Sequence, residues 1–423
     1  MTGARVLPER TLLFLVGAVQ FVNVLDFMMV MPLGPDFASA LGIPVSRLGL
    51  VGGSYTAAAA VAGMAGALFL DRFDRRDALG VALLGLVAGT AAGGLARGLP
   101  SMMAARLVAG AFGGPATSLA IAIVADEVPP ERRGRALGAV MGAFSVAAVL
   151  GVPLGLELAR RGGWRLPFFT VAALGIVIAV AALALMPPMR RHLAGPRPAA
   201  PVTTGDLLRR RPVRLSLLAM GSAFLASFSL VPNLSAYFQL NGGFPRARLG
   251  WLYLAGGSVT FFTMRAAGRL VDRHGAPRVA AGATALYLVV LAALGFGVPG
   301  VPVAAVFVGF MLSSSTRNVA AGALTSKVPS PAERARYMSA QSATQHLASS
   351  AGAVLSSQLL TENADRSLSG MGTVAAFAML LALALPLLLV RVQRALGPSG
   401  ERVPLAPVAG GAVIAAPGSR DPP

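Results

Sequence analysis

The chain has 423 residues, of which 55% are hydrophobic and only 13% charged, with a mean hydropathy of +0.69 and a net charge of +19. A soluble protein carries about 25% charged residues, so a chain this apolar has to use the bilayer as its solvent. The basic residues form short clusters between apolar runs, which excludes a continuous nucleic-acid-binding face. With no cysteine, and with His192, His274 and His346 scattered, no metal centre, cofactor or thiol chemistry is expected.

A helix needs roughly 20 apolar residues to cross the hydrocarbon core. Runs of that length are predicted near 11–33, 48–70, 77–97, 100–125, 136–158 and 166–186. Six more follow near 214–238, 249–270, 278–298, 302–325, 337–359 and 371–391. They are too long and too evenly apolar for barrel strands, so an all-α integral membrane protein is expected. The first run has only Arg5 and Arg10 before it and reads as a retained helix. Domain units follow from the count: a six-helix bundle over 1–189, a basic linker over 190–213, a second bundle over 214–396 and a disordered tail over 397–423. The linker, with Arg190, Arg191 and Arg209 to Arg211 among prolines, reads as solvated. Arginine and lysine concentrate in the segments on the side of the termini, whereas the other side holds Arg47, Arg97, Arg160, Arg161, Arg165, Arg246, Arg248 and Arg366. By the positive-inside rule both termini are expected in the cytoplasm, with the chain in a plasma or inner membrane.

Ionisable groups inside spans are expensive and are functional candidates. The first span carries Gln20, Asn23 and Asp26, every third residue and so in one helical sector. The fourth carries Arg106, followed by Gly110, Gly113 and Gly114. Counted from the outer surface, Asp26 and Arg106 each lie about seven residues deep, roughly 10 Å, and so can meet. A carboxylate held between an apolar surround and an arginine changes protonation when either alters, which suits energy coupling. The fifth span contains Gly151-Val-Pro153-Leu-Gly155, where proline bends a helix and the glycines let the bend pack. The second half has no intramembrane acid and offers Asn233, Tyr237, Arg317, Gln345 and His346, with Gln20 and Asn23 of the first half, as polar lining for a substrate cavity.

Two charged loops repeat. Asp71 and Arg72 align with Asp272 and Arg273, and Arg135 aligns with Arg336, both 201 positions apart (272 − 71 and 336 − 135). The chain therefore reads as a duplication hinged on these loops. Their pattern, Gly-x-x-x-Asp-Arg-x-Gly-Arg-Arg, resembles the signature loop of the major facilitator superfamily through Asp71, Arg72, Arg75 and Arg76. The first copy departs at Ala67 and Asp74, where the family has glycines; the second copy has Gly268 and Gly275. Asp26 ahead of Pro32 resembles the family's acid before a proline, and Arg106 with Gly110 resembles its Arg-x-x-x-Gly motif. Gly151-Val-Pro-Leu-Gly155 resembles a variant of the glycine–proline motif of proton-coupled exporters.

The resemblance implies two six-helix bundles about a pseudo-two-fold axis and a cavity between the first, fourth, seventh and tenth spans. It implies proton-driven export of a small drug-like or sugar-like molecule by a monomer, with substrate and protons as partners and no enzymatic role. A proton-coupled uptake permease and a non-transporting membrane sensor are the alternatives. It also implies that Asp71 meets the start of the eleventh span near 337–340 while Arg75 pairs with Asp126, latching the outward-open state. Asp272 would then make the matching contact near the start of the fifth span.

Overall fold

In a computed structural model of the chain, the described residues are 7–190, 193, 204–298, 300–330 and 333–397. Among them twelve helical segments cross the molecule: α1 (Glu9–Val30), α2 (Leu48–Phe69), α3 (Arg75–Gly94), α4 (Leu99–Glu127), α5 (130–162, in pieces) and α6 (Arg165–Leu185). The second set is α7 (Arg211–Phe228, resumed at Val231–Leu240), α8 (Leu249–His274), α9 (Ala276–Phe296), α10 (Val303–Thr325), α11 (Arg334–Leu359) and α12 (Met371–Leu396). Helices are what lipid demands, because each backbone donor and acceptor must be satisfied within its own segment. Ten of the twelve are long and apolar enough to span a membrane by composition. The other two, α8 and α11, carry more polar side chains, including Arg265 and Arg269 in α8 and Gln341, Gln345 and His346 in α11. With twelve crossings, both ends of the described chain lie on one face, the terminal face; the other is the distal face.

Small residues set the packing. In the first half α4 packs against α2 and α3, and α3 against α6; in the second half α7 packs against α11 and α12, and α9 against α10 and α12. A Cβ added at Gly110 or Gly114 of α4 would strike the backbone of Tyr55 or Ala59 in α2. That close approach, worth most where no hydrophobic force acts between helices, is the use of a small-residue stripe in lipid. Two seams join the halves, α2 along α11 and α5 along α8.

Hydrogen bonds and ion pairs between the halves cluster at the distal face. Ser350 Oγ donates to the Gly53 carbonyl at 2.9 Å, and Ser235 Oγ to the Met31 carbonyl at 3.2 Å. Arg246 Nε lies 2.9 and 3.0 Å from the two Asp36 carboxylate oxygens, and its Nη2 closes the fork. Val45 N–H donates to Glu362 at 2.5 Å, and Arg366 to Ser39 at 3.2 Å.

Several elements differ from the sequence expectation. The seventh span is interrupted at Ser229–Leu230, because Pro232 lacks the N–H that would bond the Phe228 carbonyl. The first span stops at Val30, and a short helix, Gly34–Leu41, follows with Pro35 in its first turn. A two-stranded hairpin, Thr361–Glu362 with Leu368–Ser369, caps the distal loop between α11 and α12. The linker was expected to be solvated, yet its last residues form a helix, Thr204–Arg209, whose Leu207 is buried with Val213, Ala276 and Tyr337. Arg210 pairs with Glu333 at 2.8 Å, which ties that segment to the foot of α11. Most of the remaining linker, and the tail beyond Gly397, lie outside the described residues.

Candidate functional site

The polar sector of α1 is buried in the first bundle. Asp26 is 0% and Arg106 1% exposed, and Arg106 Nη1 lies 3.0 and 2.9 Å from the two carboxylate oxygens. Thr90 of α3 donates its hydroxyl to Asp26 Oδ1 at 2.7 Å. The guanidinium carbon of Arg106 sits 4.5 Å from the Tyr55 ring centroid, a cation–π contact. One turn toward the terminal face, Tyr55 donates to Asn23 Oδ1 at 2.8 Å, and Asn23 Nδ2 donates to the Gly113 carbonyl at 2.9 Å and to Thr117 at 2.8 Å. Four helices thus converge on one charge pair. Gln20 Oε1 and Arg106 Nε have no partner.

Thr90 and Tyr55 escaped the sequence reading. Each carried a faint signal: Thr90 is the one hydroxyl of α3, and Tyr55 the one tyrosine of α2.

The kink motif is adjacent. A π-helical turn, Ala147–Gly151, precedes Pro153, whose missing N–H frees the carbonyl four residues back. A Cβ on Gly151 would come within 2.6 Å of Leu25 on α1, next to Asp26. On the other flank, a Cβ on Gly257 of α8 would meet the Ala148 carbonyl oxygen at 2.8 Å. The bulge therefore touches α1 on one side and the opposite half on the other. Gly155 is looser, with only Met29 at 3.9 Å.

The second half holds its candidates apart. Asn233 is buried and donates to Ser356 at 3.0 Å within its own bundle. Tyr237 and Gln345 are half-buried. His346 faces the first half, lining a narrow cleft with Ala59, Gly63, Gly114 and Ser118. Arg317 is 1% exposed and lies over the Tyr287 ring at 4.2 Å, and among the described residues no hydrogen bond joins it to His346.

The hinge loops are only partly as expected. Arg75 lies 3.2 Å from Asp126 and 2.8 Å from Asp71. Asp71 was expected against 337–340; its side chain is instead 72% exposed, and Tyr337 donates to Ser216 of α7. With the halves joined at the distal face, the terminal ends of α2 and α11 are exposed at Met64, Phe69 and Met338, and Asp71 turns to Arg75 at the start of α3. Arg72 is exposed. Asp272 and Arg273 are exposed too, and no described bond carries Asp272 to the fifth span.

Asp74 replaces the family glycine for a visible reason. Its φ is −57°, so no left-handed residue is needed, and its carboxylate caps α3. It accepts from Arg76 N, Met189 N and Arg190 Nε, each at 3.0 Å. Burial alone would raise its pKa; the Met189 and Arg76 N–H groups and Arg190 outweigh burial and hold it below the usual value. In the second copy, Gly275 has φ +82°, where glycine is the fitting residue.

Two half-bundles with a buried ion pair and a cleft between them define a polytopic solute transporter. The sequence profile of the Major Facilitator Superfamily matches residues 16–353 and again 216–417, and the chain belongs to that superfamily. A chloramphenicol resistance protein of Streptomyces lividans is 28% identical over 265 residues, 62% of this chain and 67% of that protein. Three further relatives match over about 40% of their own length. Among solved structures, a bacterial homologue of the human lysosomal transporter Spinster, inward-facing and unoccupied, superposes with a TM-score of 0.67 at 15% identity, covering 91% of this chain and 95% of that one. A D-xylose–proton symporter superposes at 0.69 and 18% identity, covering 89% and 96%. At these identities the likeness is one of fold: twelve helices in two pseudo-symmetric six-helix bundles.

Proposed function

We propose that this transporter exports a small organic molecule in exchange for protons, with Asp26 as the proton carrier and Arg106 as the group that senses its charge. The carrying observation is the fully buried Asp26–Arg106 pair with Thr90. Protonating Asp26 removes the counter-charge of a guanidinium that is 1% exposed, and breaking a buried pair costs ~3–5 kcal/mol. Relief requires α1 and α4 to shift. Because α1 abuts the α5 bulge, and the bulge abuts α8, such a shift reaches the seam between the halves. Rocking of the bundles 1–189 and 214–396 about that seam would then exchange access between faces. The glycine–proline bend at Gly151 and Pro153 favours export.

In this reading the terminal face is cytoplasmic in a plasma or inner membrane, the monomer is the working unit, and the arrangement described opens inward. Asp71, Arg75 and Asp126 would latch the opposite state, when the terminal ends of α2 and α11 close. Chloramphenicol, named for the Streptomyces relative, is a neutral reference compound to be tried beside small organic acids. The test is accumulation in proteoliposomes under an imposed pH gradient, with the sign of flux separating export from uptake. Asp26→Asn should reconstitute normally and bind substrate without pH dependence, yet lose gradient-driven accumulation. Accumulation by Asp26→Asn at the wild-type rate would sink the proposal.

A further inference from the structure

Arg317 is the second fully buried arginine among the described residues, and nothing in the export reading uses it. Arg106 has a carboxylate beside it; Arg317 has none. The acids of the second bundle, Asp272, Glu333, Glu362 and Asp365, all lie at helix ends or in loops. Arg317 is eight residues from the terminal end of α10, about 12 Å deep. Its guanidinium carbon lies 4.2 Å from the Tyr287 ring centroid. That ring is itself fixed by Phe310 at 5.6 Å and by a 3.3 Å bond from its hydroxyl to the Ala226 carbonyl. The ring therefore holds the guanidinium face and leaves its edge free.

The two unpartnered nitrogens are Nε and Nη2. They form one edge of the guanidinium, presenting two parallel N–H bonds at the spacing of a carboxylate's oxygens. Two buried hydroxyl oxygens nearby in the helical register are also without partners: Ser314 Oγ, three residues before Arg317 on α10, and Thr284 Oγ1, three before Tyr287 on α9. A purely structural arginine would spend these donors on carbonyls or an acid. Here two guanidinium nitrogens and two hydroxyl oxygens are buried without hydrogen-bond partners.

We propose that Arg317 is the anchor for an anionic substrate, its Nε–Nη2 edge taking the carboxylate of a small organic acid between α7, α9 and α10. This rests on the reading of the chain as a carrier of small organic molecules and narrows the substrate class to organic acids. The binding-free protein keeps a buried cation with no carboxylate beside it, and the substrate supplies the missing charge. A neutral analogue cannot, which makes charge the basis of selection.

The test is thermal unfolding of the purified full chain in detergent with benzoate, phenylacetate and hexanoate, each against its amide, and with sodium chloride at equal ionic strength. At least one carboxylate should raise the melting temperature by several degrees, as saturation by a native-state ligand does. Its amide and chloride should not. Arg317→Gln should abolish the shift and, unliganded, melt above wild type because it removes an unpaired buried charge; a structural role predicts the reverse. Should Arg317→Gln fail to fold, Arg317→Lys keeps the charge but loses the edge, and should bind the same acid at least tenfold more weakly. The proposal is overturned if no carboxylate shifts the wild type, if amide or chloride matches it, or if either variant keeps wild-type affinity. The measurement is made at equilibrium without a gradient. Failure of proton-driven accumulation with this shift intact would therefore refute the export reading alone.

Discussion

At the scale of single residues, Asp74 shows how a departure from a family pattern can be built into the fold. Its three accepted bonds join the start of α3 to the end of the first bundle at Met189 and Arg190. Loss of a helix N-cap costs ~0.5–2 kcal/mol, and Asp74→Ala should lower the melting temperature accordingly. The pH dependence has a definite sign. A carboxyl with a depressed native pKa contributes stability that is complete above its unfolded value, near 3.8, and lost as pH falls toward its native one. Melting curves between pH 5 and 3 should therefore fall more steeply for the wild type than for Asp74→Asn. Parallel curves would remove the carboxylate from the account.

At the scale of elements, α5 and α8 decide how the halves meet. Gly257 faces the Ala148 carbonyl oxygen and the Val149 Cα at 2.8 and 3.1 Å from where a Cβ would stand, and both are backbone atoms unable to swing aside. Gly257→Val should wedge the seam open, at the ~1–3 kcal/mol typical of overpacking, and favour the distally open state. Its readout is labelling from the distal side at a single cysteine introduced at Ser235 in this cysteine-free chain; unchanged labelling would dismiss the wedge. How much of this could be read in advance follows the range of the contact. The spans, the repeated loops and the depths of Asp26 and Arg106 are periodic or local features, and the sequence carries them. The break in α7 was legible at Pro232, although the run of apolar residues masked it. Thr90, Tyr55 and Tyr287 were illegible because a lone hydroxyl or aromatic gains meaning only from what packs opposite. Gly257 belongs with them, since its partner lies in the other half. The Asp71 contact expected near 337–340 is not made in this arrangement, where Asp71 pairs with Arg75 instead.

At the scale of the whole molecule, the exchange of access proposed above would require the distal joints to break together. The strongest is the Asp36–Arg246 fork, where the short helix after α1 meets the loop before α8. The Val45–Glu362 and Ser39–Arg366 bonds flank it, and Glu362 and Arg366 are themselves paired at 3.5 Å, so the α11–α12 hairpin is held by the same patch. The Asp36 and Arg246 side chains are 25% and 27% exposed, so the pair belongs among partly screened ones worth ~0.2–1 kcal/mol. A lock of that size biases an equilibrium without freezing it, which suits a carrier that must open thousands of times. Asp36→Asn or Arg246→Gln should each raise distal accessibility of a cysteine at Ser235 by about 1.4- to 5-fold, the population change that energy allows. High salt should produce part of the same change in the unmutated pair by screening it. Exchanging the charges, Asp36→Arg with Arg246→Asp, should restore the original labelling. If the exchanged pair labels like the single variants, side-chain geometry at this joint matters more than charge; if neither single variant changes labelling, the joint does not hold the distal face closed.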